Sequence, residues 1–424
     1  MWNEIQRVLE YLSKSKGGKR TLKYLILGLI AGVVLLIFNL NVLYYLVDLD
    51  HFFIHTALSR LLFVNNISPY SLDIRSILEN YFSTRPIEVS LENFKFTDPI
   101  FQLFFYFPFG FIPDPTWAAA IYLTINQGFI LWIIETIYRL LDWKPDWMIR
   151  LLNVAIAFSS FLGISYLLAP DLSVIQTLLF LTGLSFSLNR KPIQGGLLLG
   201  FSLLSFQLTT LALLLVLTFF LATNKKGPVV WFLISVALLS LAGIIFDNNW
   251  PLMMVRNFFI EPQQFPFANY SITLGVSSTG AILPTLINFS PVFLVILIAL
   301  EWLRTPKVSS NHLFWLLAFI INFNPMLTVT QHFSPRFIHF IVYLFIFYLW
   351  YFRSEGTVKQ ILLGMYVLMI VILPGLGRLF PQVLPFLNSS IGFHIIRIIL
   401  TLIMLYWVKW WILQSPLERE VFEE

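Results

Sequence analysis

The chain has 424 residues, of which 58% are hydrophobic and only 12% are charged, and its formal net charge is +5. A soluble domain usually carries about 25% charged residues. This composition therefore excludes an ordinary soluble domain and predicts an all-α polytopic membrane protein. The lack of cysteine excludes disulfides and thiolate metal sites. The basic residues are scattered along loop borders, which argues against a nucleic-acid partner.

The first 21 residues are predicted to form an amphipathic helix on the membrane surface. Ile5, Val8, Leu9 and Leu12 fall on one face of this helix, and basic residues follow between positions 14 and 20. Under the positive-inside rule such a segment stays in the cytoplasm. We therefore expect a multi-pass protein of the cell membrane with a cytoplasmic N-terminus.

Residues 22–414 are predicted to form one integral membrane domain of about 10–12 transmembrane helices, followed by a tail at 415–424. The candidate spans are 22–46, 99–113, 116–138, 148–168, 171–188, 194–222, 228–246, 289–304, 311–329, 335–352, 357–375 and 392–413. Counting these spans from a cytoplasmic N-terminus places the basic segment 224–227 inside, as the positive-inside rule requires. The same count places the basic segment 189–192 outside, so either the rule fails there or the count is wrong.

Three long segments fall on the outer side, at 47–98, 247–288 and 376–390. Within the first of them, residues 51–64 have the pattern of an amphipathic helix, and 71–82 are predicted to form a second helix on the membrane surface. The second outer segment is rich in aromatic, Pro, Asn and Gln residues, so it is expected to lie in the membrane interface.

The densest group of ionisable side chains stands where the first span ends. Asp48 and Asp50 follow the apolar run, and His51 and His55 lie one turn apart on the next helix. A charge beside hydrocarbon costs about 2.5–3.5 kcal/mol on insertion scales, so a carboxylate kept there is a functional candidate. The alternative is that the two aspartates only end the span. The amphipathic helix after them and its closing N-N-I-S-P-Y turn favour the wall of a pocket instead.

A carboxylate at a lipid interface can deprotonate a hydroxyl nucleophile, because partial desolvation raises its pKa toward a useful value. A sugar donor that is activated as a phospholipid leaves with its own phosphate, and it needs only a cation or amide donors. The sequence contains neither a G-x-G-x-x-G motif nor a P-loop. We expect no cofactor. A divalent cation held by Asp48 and Asp50 is the less favoured alternative, since no further fixed ligand is evident.

Four short motifs carry a resemblance to a known family. They are Asp50-His-Phe-Phe-Ile-His55-Thr-Ala57 with Ser68-Pro69-Tyr70, Asp98-Pro99 with Thr116–Ala120, Gly195-Gly196-Leu-Leu-Leu-Gly200, and His332-Phe-Ser334-Pro335-Arg336-Phe337-Ile-His339. In their order and their placement between spans they resemble the integral-membrane GT-C glycosyltransferases that use polyprenyl-phosphate sugars. Within that group they are most similar to the polyprenol-phosphate-mannose-dependent mannosyltransferases of the glycosyltransferase family 87 type.

The chain departs from that family at several positions. His55 stands where the family often has Tyr, and Gln207 stands where a basic residue is common in the sixth span. After the Ser-Pro motif the family usually has Trp and a pair of histidines, whereas Arg336 and the single His339 follow here. These departures concern which sugar is transferred and which residues contact the donor. A member of the same group that lacks catalytic activity is an open alternative.

The resemblance implies that Asp50 is the general base of an inverting transfer on the outer face, with Asp48 as the second candidate. The expected substrate-binding residues are Asp48, His51, His55, Arg256, His332, Arg336 and His339. The expected partners are a polyprenyl-phosphate sugar donor, a lipid or glycan hydroxyl acceptor, and membrane lipids. The alternative function is a transporter or flippase of a lipid-linked substrate, although the sequence shows neither the repeats nor the midplane sites typical of transporters.

Overall fold

The structure is a computed structural model that describes residues 16–45, 47–85, 87, 89–91, 94, 96–159, 167, 170–204 and 206–260, together with isolated positions between 300 and 364. Every regular element in these residues is a helix, which confirms the all-α prediction for this part of the chain. Several predicted features lie outside the described residues: most of the N-terminal amphipathic helix, most of the second outer segment, the third outer segment and the C-terminal tail.

The α-helices of the described part, numbered in chain order, are α1 (Lys16–Asn41), α2 (Asp50–Asn65), α3 (Ile74–Ser83), α4 (Leu103–Gly110), α5 (Pro115–Leu140), α6 (Trp147–Ser159), α7 (Ser173–Leu188), α8 (Pro192–Phe201), α9 (Phe206–Ala222), α10 (Lys226–Phe246) and α11 (Trp250–Ile260). Short 3-10 helices span Leu43–Tyr45, Ile100–Gln102 and Ser202–Leu204. Helices α2 and α3 confirm the two helices predicted in the first outer segment.

Two glycines of α8 allow it to pack closely against α10. A Cβ built on Gly196 would lie 2.4 Å from the backbone oxygen of Pro228, and one built on Gly200 would lie 2.4 Å from the Cβ of Ser235. Both partners belong to α10. Because these glycines lack side chains, the backbones of α8 and α10 approach more closely than larger residues would allow.

The bundle formed by α7, α8 and α10 has two ends. Helix α7 has 16 residues and runs about 24 Å from Asp171 to the turn at 189–191. Helix α10 starts after the turn at 224–226, has 21 residues, and runs about 32 Å to Asp247. A Cβ on Gly227 would lie 2.8 Å from the Cβ of Pro192, so the two turns lie together. We call their end the basal end, and the end at Asp171 and Asp247 the site end.

The predicted single span at 194–222 is divided in the structure. Helix α8 ends at Phe201, Leu203 has a non-helical ψ of 24°, and α9 begins at Phe206. The backbone oxygen of Ser202 accepts a hydrogen bond of 3.3 Å from the side chain of Gln176. This bond replaces part of the helical backbone hydrogen bonding that is lost at the kink. Helix α9 therefore returns to the basal end.

This division corrects the span count. The basic segments 189–192 and 224–227 lie at the same end of the bundle, whereas the count from the sequence placed them on opposite sides. A second difference concerns the predicted span at 99–113. Helix α4 within it has eight residues with Pro108 inside, and it packs against α2, so this predicted span is a short helix against the segment 47–98.

Two described helices, α5 and α10, are long and apolar enough to cross a membrane by length and composition. Only 22% of the most apolar window of α10 is buried inside the protein, against 56% for α5. Parts of α1 and α6 to α9, and the segment containing α4, form shorter apolar helices. The apolar surface of α10 is therefore largely uncovered by the described residues.

Candidate active site

Helix α2 carries the predicted site residues, and its apolar face fixes it in place. Phe52, Leu58 and Leu62 are fully buried, and the ring of Phe52 stacks on that of Tyr122 of α5, with 4.6 Å between ring centroids. Burial of a large apolar side chain contributes roughly 1.5–3 kcal/mol. The first turn of α2 is thereby held against the start of α5.

The two candidate carboxylates, Asp48 and Asp50, have different surroundings. The backbone N–H of Asp50 donates to Oδ1 of Asp48 at 3.1 Å. The exposed Asp48 thus satisfies one of the N–H groups that a helix start leaves unpaired. Asp50 is half-buried, and its Oδ2 accepts a hydrogen bond of 3.0 Å from the backbone N–H of Ser90. The segment around Ser90 therefore lies against the Asp50 carboxylate.

The electrostatics of Asp50 suit a general base. Burial raises the pKa of its carboxyl group, the Ser90 N–H opposes that rise, and the negative charge of Asp48 adds to it. A raised pKa makes the carboxylate a stronger proton acceptor. Among the described residues, its Oδ1 has no hydrogen-bond partner. One oxygen is thus held in place while the other is available to a substrate hydroxyl.

The two predicted histidines lie together behind Asp50. The Nδ1 atom of His55 is 2.8 Å from the backbone oxygen of His51. Because a carbonyl oxygen only accepts, Nδ1 carries the proton and Nε2 keeps its lone pair. Burial lowers the pKa of both imidazoles, and for His55 the neighbouring His51 lowers it further. Both rings are therefore neutral near pH 7.

Sequence reasoning missed three residues that complete this wall. The hydroxyl of Tyr106 on α4 lies 3.3 Å from Nδ1 of His51. The hydroxyl of Tyr122 on α5 donates to the backbone oxygen of Asp171 at 3.1 Å. The negative charge of Asp171 partly opposes the lowering of the His51 pKa. A lone carboxylate between Pro170 and an apolar helix was the signal that could have identified Asp171.

The Ser68-Pro69-Tyr70 turn is anchored at the site end of the bundle. The hydroxyl of Tyr70 donates to the backbone oxygen of Asp98 at 2.6 Å, and the hydroxyl of Ser68 donates to Oδ2 of Asp247. Burial raises the pKa of Tyr70, and the charges of Asp98 and Asp247 raise it further, so this phenol remains a donor. The turn thus ties the end of α2 to the segment before α4 and to the end of α10.

The other predicted substrate-binding residues fall into two groups. Arg256 is exposed on α11. Its neighbour Asn257 donates to the backbone oxygen of Phe96 at 3.2 Å, and the Phe96 ring is 5.8 Å from that of His55. Arg256 is therefore at the site end, but in the described part no ion pair joins it to Asp48 or Asp50. The remaining three, His332, Arg336 and His339, lie outside the described residues.

The described residues and the comparisons with known proteins leave the site without a metal centre or a relative to guide its interpretation. The part of the chain that the structure describes contains no group of three or more His, Asp or Glu side chains that could hold a metal ion. No family model, curated protein or solved structure matches the chain. The resemblance to GT-C glycosyltransferases therefore rests on the four sequence motifs.

Proposed function

We propose that the chain is a multi-pass membrane glycosyltransferase. It moves a sugar, mannose by the family resemblance, from a polyprenyl-phosphate carrier to a hydroxyl of a lipid or glycan on the outer face of the cell membrane. The observation that carries the proposal is the environment of Asp50. This carboxylate is half-buried at the start of a well-packed helix, its pKa is raised, and Ser90 holds one of its oxygens.

Placement in a membrane is supported by uncovered apolar side chains between the two ends of the bundle. On α1 and α10 they are Ile26, Leu29, Ile30, Val33, Val34, Ile37, Val230, Leu233, Leu238, Leu241, Ile244 and Ile245. Lipid chains would cover such a surface, whereas water would leave a large apolar patch exposed. The basic turns at the basal end then lie on the cytoplasmic side, and Asp50 lies outside.

The proposed reaction is a direct displacement at the anomeric carbon. Oδ1 of Asp50 takes the proton of the acceptor hydroxyl while the acceptor oxygen forms its bond to that carbon. The bond between the anomeric carbon and the phosphate oxygen breaks, and polyprenyl phosphate leaves with the electron pair. Attack opposite the leaving group inverts the configuration. Arg256 at the site end, and Arg336 and His339, are the candidates for neutralising the phosphate.

The rings packed behind Asp50 support its proposed role as the base in a second way. His51, His55 and Tyr106 are packed together, with 5.1 Å between the ring centroids of His55 and Tyr106. Neutral and closely packed rings add no competing positive charge beside the carboxylate. They also exclude water from one side of it, which limits hydrolysis of the donor.

The test uses the purified full chain in sealed lipid vesicles with radiolabelled polyprenyl-phosphate mannose and a membrane lipid extract. We expect label to appear in a new glycosylated product. Movement of intact labelled donor from one leaflet to the other, with no product formed, would contradict the proposal and support the transporter alternative. Product is measured by lipid extraction and chromatography. Movement between leaflets is measured in the same vesicles as the share of labelled mannose that periodate, an impermeant oxidant of its diols, can reach.

A further inference from the structure

Two turns at the basal end have the same backbone form. The backbone N–H of Lys191 donates to the backbone oxygen of Phe186 at 2.9 Å, and that of Lys225 donates to the backbone oxygen of Phe220 at 2.8 Å. Each bond spans five residues. The residues before the two lysines, Arg190 and Asn224, have positive φ angles of 59° and 56°. This combination is the Schellman closure of a helix end. It turns the chain sharply, so that the next helix, α8 or α10, starts directly beside the turn.

The packing of the following helices holds the two turns side by side. A Cβ on Gly227 would lie 2.8 Å from the Cβ of Pro192, so the starts of α10 and α8 are in contact. Four exposed cations are brought together by this contact. They are Arg190, Lys191, Lys225 and Lys226. We call these four residues the basal platform.

The basal platform has no internal counter-charge in the described part of the chain. The ion pairs there join Arg75 to Glu79, and Glu135 to both Arg139 and Arg150. None of them includes a platform residue. The ammonium group of Lys191 lies 5.5 Å from the Phe186 ring centroid, which leaves its charge unneutralised. Like charges grouped on two adjacent turns favour binding of an anion.

The apolar surface next to the platform indicates where that anion comes from. Ile193 is 49% exposed beside Lys191, and Val230 is 50% exposed one turn above Lys226. A soluble phosphate compound would meet only the cations. A phospholipid would meet the cations with its headgroup and the apolar side chains with its acyl chains.

We propose that the basal platform binds the phosphate-bearing headgroups of anionic phospholipids. This inference rests on the membrane placement in the proposed function, but it does not depend on the reaction assigned to Asp50. The lipid leaflet involved is the one at the basal end, opposite the candidate active site. The platform is therefore a second lipid contact, separate from any donor or acceptor site.

The experiment uses the purified full chain in a neutral detergent, titrated with fluorescent phosphatidylglycerol, fluorescent phosphatidylcholine or inorganic phosphate as a competitor. The wild type is expected to prefer phosphatidylglycerol. Each cation near an anionic surface contributes roughly fivefold in affinity, so Lys225→Gln/Lys226→Gln should bind phosphatidylglycerol roughly 25-fold more weakly. The matched control, Arg60→Gln/Arg75→Gln, removes two exposed cations from the site end and should keep the wild-type affinity.

Three results would overturn the proposal. They are equal binding of the two lipids by the wild type, unchanged binding by the Lys225→Gln/Lys226→Gln variant, and full displacement of phosphatidylglycerol by an equal concentration of inorganic phosphate. Glycosyl transfer is measured in the same preparations, so failure of the platform and failure of the proposed function are read separately. Arg190→Gly serves as a second variant, because it removes a cation at a position whose positive φ suits glycine. It should weaken lipid binding roughly fivefold without lowering the Tm.

Discussion

The imidazole rings of His51 and His55 are stacked, with 4.0 Å between their centroids and 25° between their planes. The His55 ring is buried against Tyr106 of α4 and Phe96, and the centroid of the His51 ring lies 6.2 Å from that of Tyr106. Two protonated rings at this separation would repel each other in a site with little water. The pair is therefore stable only as neutral imidazoles, which makes it a source of acid sensitivity.

The first prediction concerns stability at mildly acidic pH. Burial lowers the pKa of both histidines in the folded chain, whereas the unfolded chain binds protons near pH 6.5. The stability that the neutral rings provide is present above about pH 6.5 and is lost as the pH falls toward the folded-state pKa. Measured between pH 7.5 and 5, the Tm of His55→Phe should fall less than that of the wild type.

Tyr106→Phe is the control for this prediction, because it keeps both imidazoles and removes only the hydroxyl that lies 3.3 Å from His51. Its Tm should follow the wild-type dependence on pH. Parallel curves for the wild type and His55→Phe would show that the buried pair does not set the acid sensitivity.

The second prediction concerns the cost of keeping Asp50 ionised. Burial raises its folded-state pKa, so the stability associated with this group is present below the unfolded pKa of about 3.9 and is lost as the pH rises through the folded-state value. Asp50→Asn should therefore raise the Tm at pH 7, and the gain should shrink on acidification. Asp73→Asn, at an exposed position, should leave the Tm nearly unchanged. A lower Tm for Asp50→Asn at pH 7 would contradict this reading.

The third prediction tests the contact between α8 and α10. Gly196→Ala places a Cβ 2.4 Å from the backbone oxygen of Pro228, and overpacking of this kind typically costs about 1–3 kcal/mol. In Gly28→Ala in α1, the added Cβ would meet nothing within 4 Å. This substitution should instead raise the free energy of unfolding by up to about 1 kcal/mol, because alanine has the higher helix propensity. Thermal unfolding in detergent measures both. Equal effects of the two substitutions would argue against the close packing.

The fourth prediction uses the left-handed backbone of Arg190. A non-glycine residue in this conformation costs roughly 1 kcal/mol, so Arg190→Gly should raise the free energy of unfolding by about that amount. Lys191 has a φ of −113°, so Lys191→Gly gains no such relief and should be neutral or destabilising. If both variants lose stability, Arg190 contributes a contact that outweighs its backbone strain.

Local patterns in the sequence predicted the helices of the first outer segment. Helices α2 and α3 follow from apolar residues at helical spacing, and Asp50 was identified by its position directly after an apolar run. The break between α8 and α9 was not predictable in this way, because 194–222 contains no proline and no charged residue that would mark the end of a span. What accommodates the break is a hydrogen bond from Gln176, 26 residues before Ser202.

The wall of the candidate site depends on the same kind of distant contact. Tyr106 lies 55 residues from His51, and Tyr122 lies 49 residues from Asp171. Both tyrosines stand in aromatic, apolar stretches where a tyrosine is ordinary. Only the folded chain brings their hydroxyls to the histidine and to the start of α7.

The decisive measurement is the rate of sugar transfer by Asp50→Asn. General base catalysis typically contributes about 10²–10⁴-fold, so kcat/KM with polyprenyl-phosphate mannose should fall by that factor while the variant remains folded. Asp48→Asn, which alters only the carboxylate that accepts the Asp50 N–H, should retain most of the activity, and Asp73→Asn should retain all of it. Transfer by Asp50→Asn at the wild-type rate would contradict the assignment of Asp50 as the base.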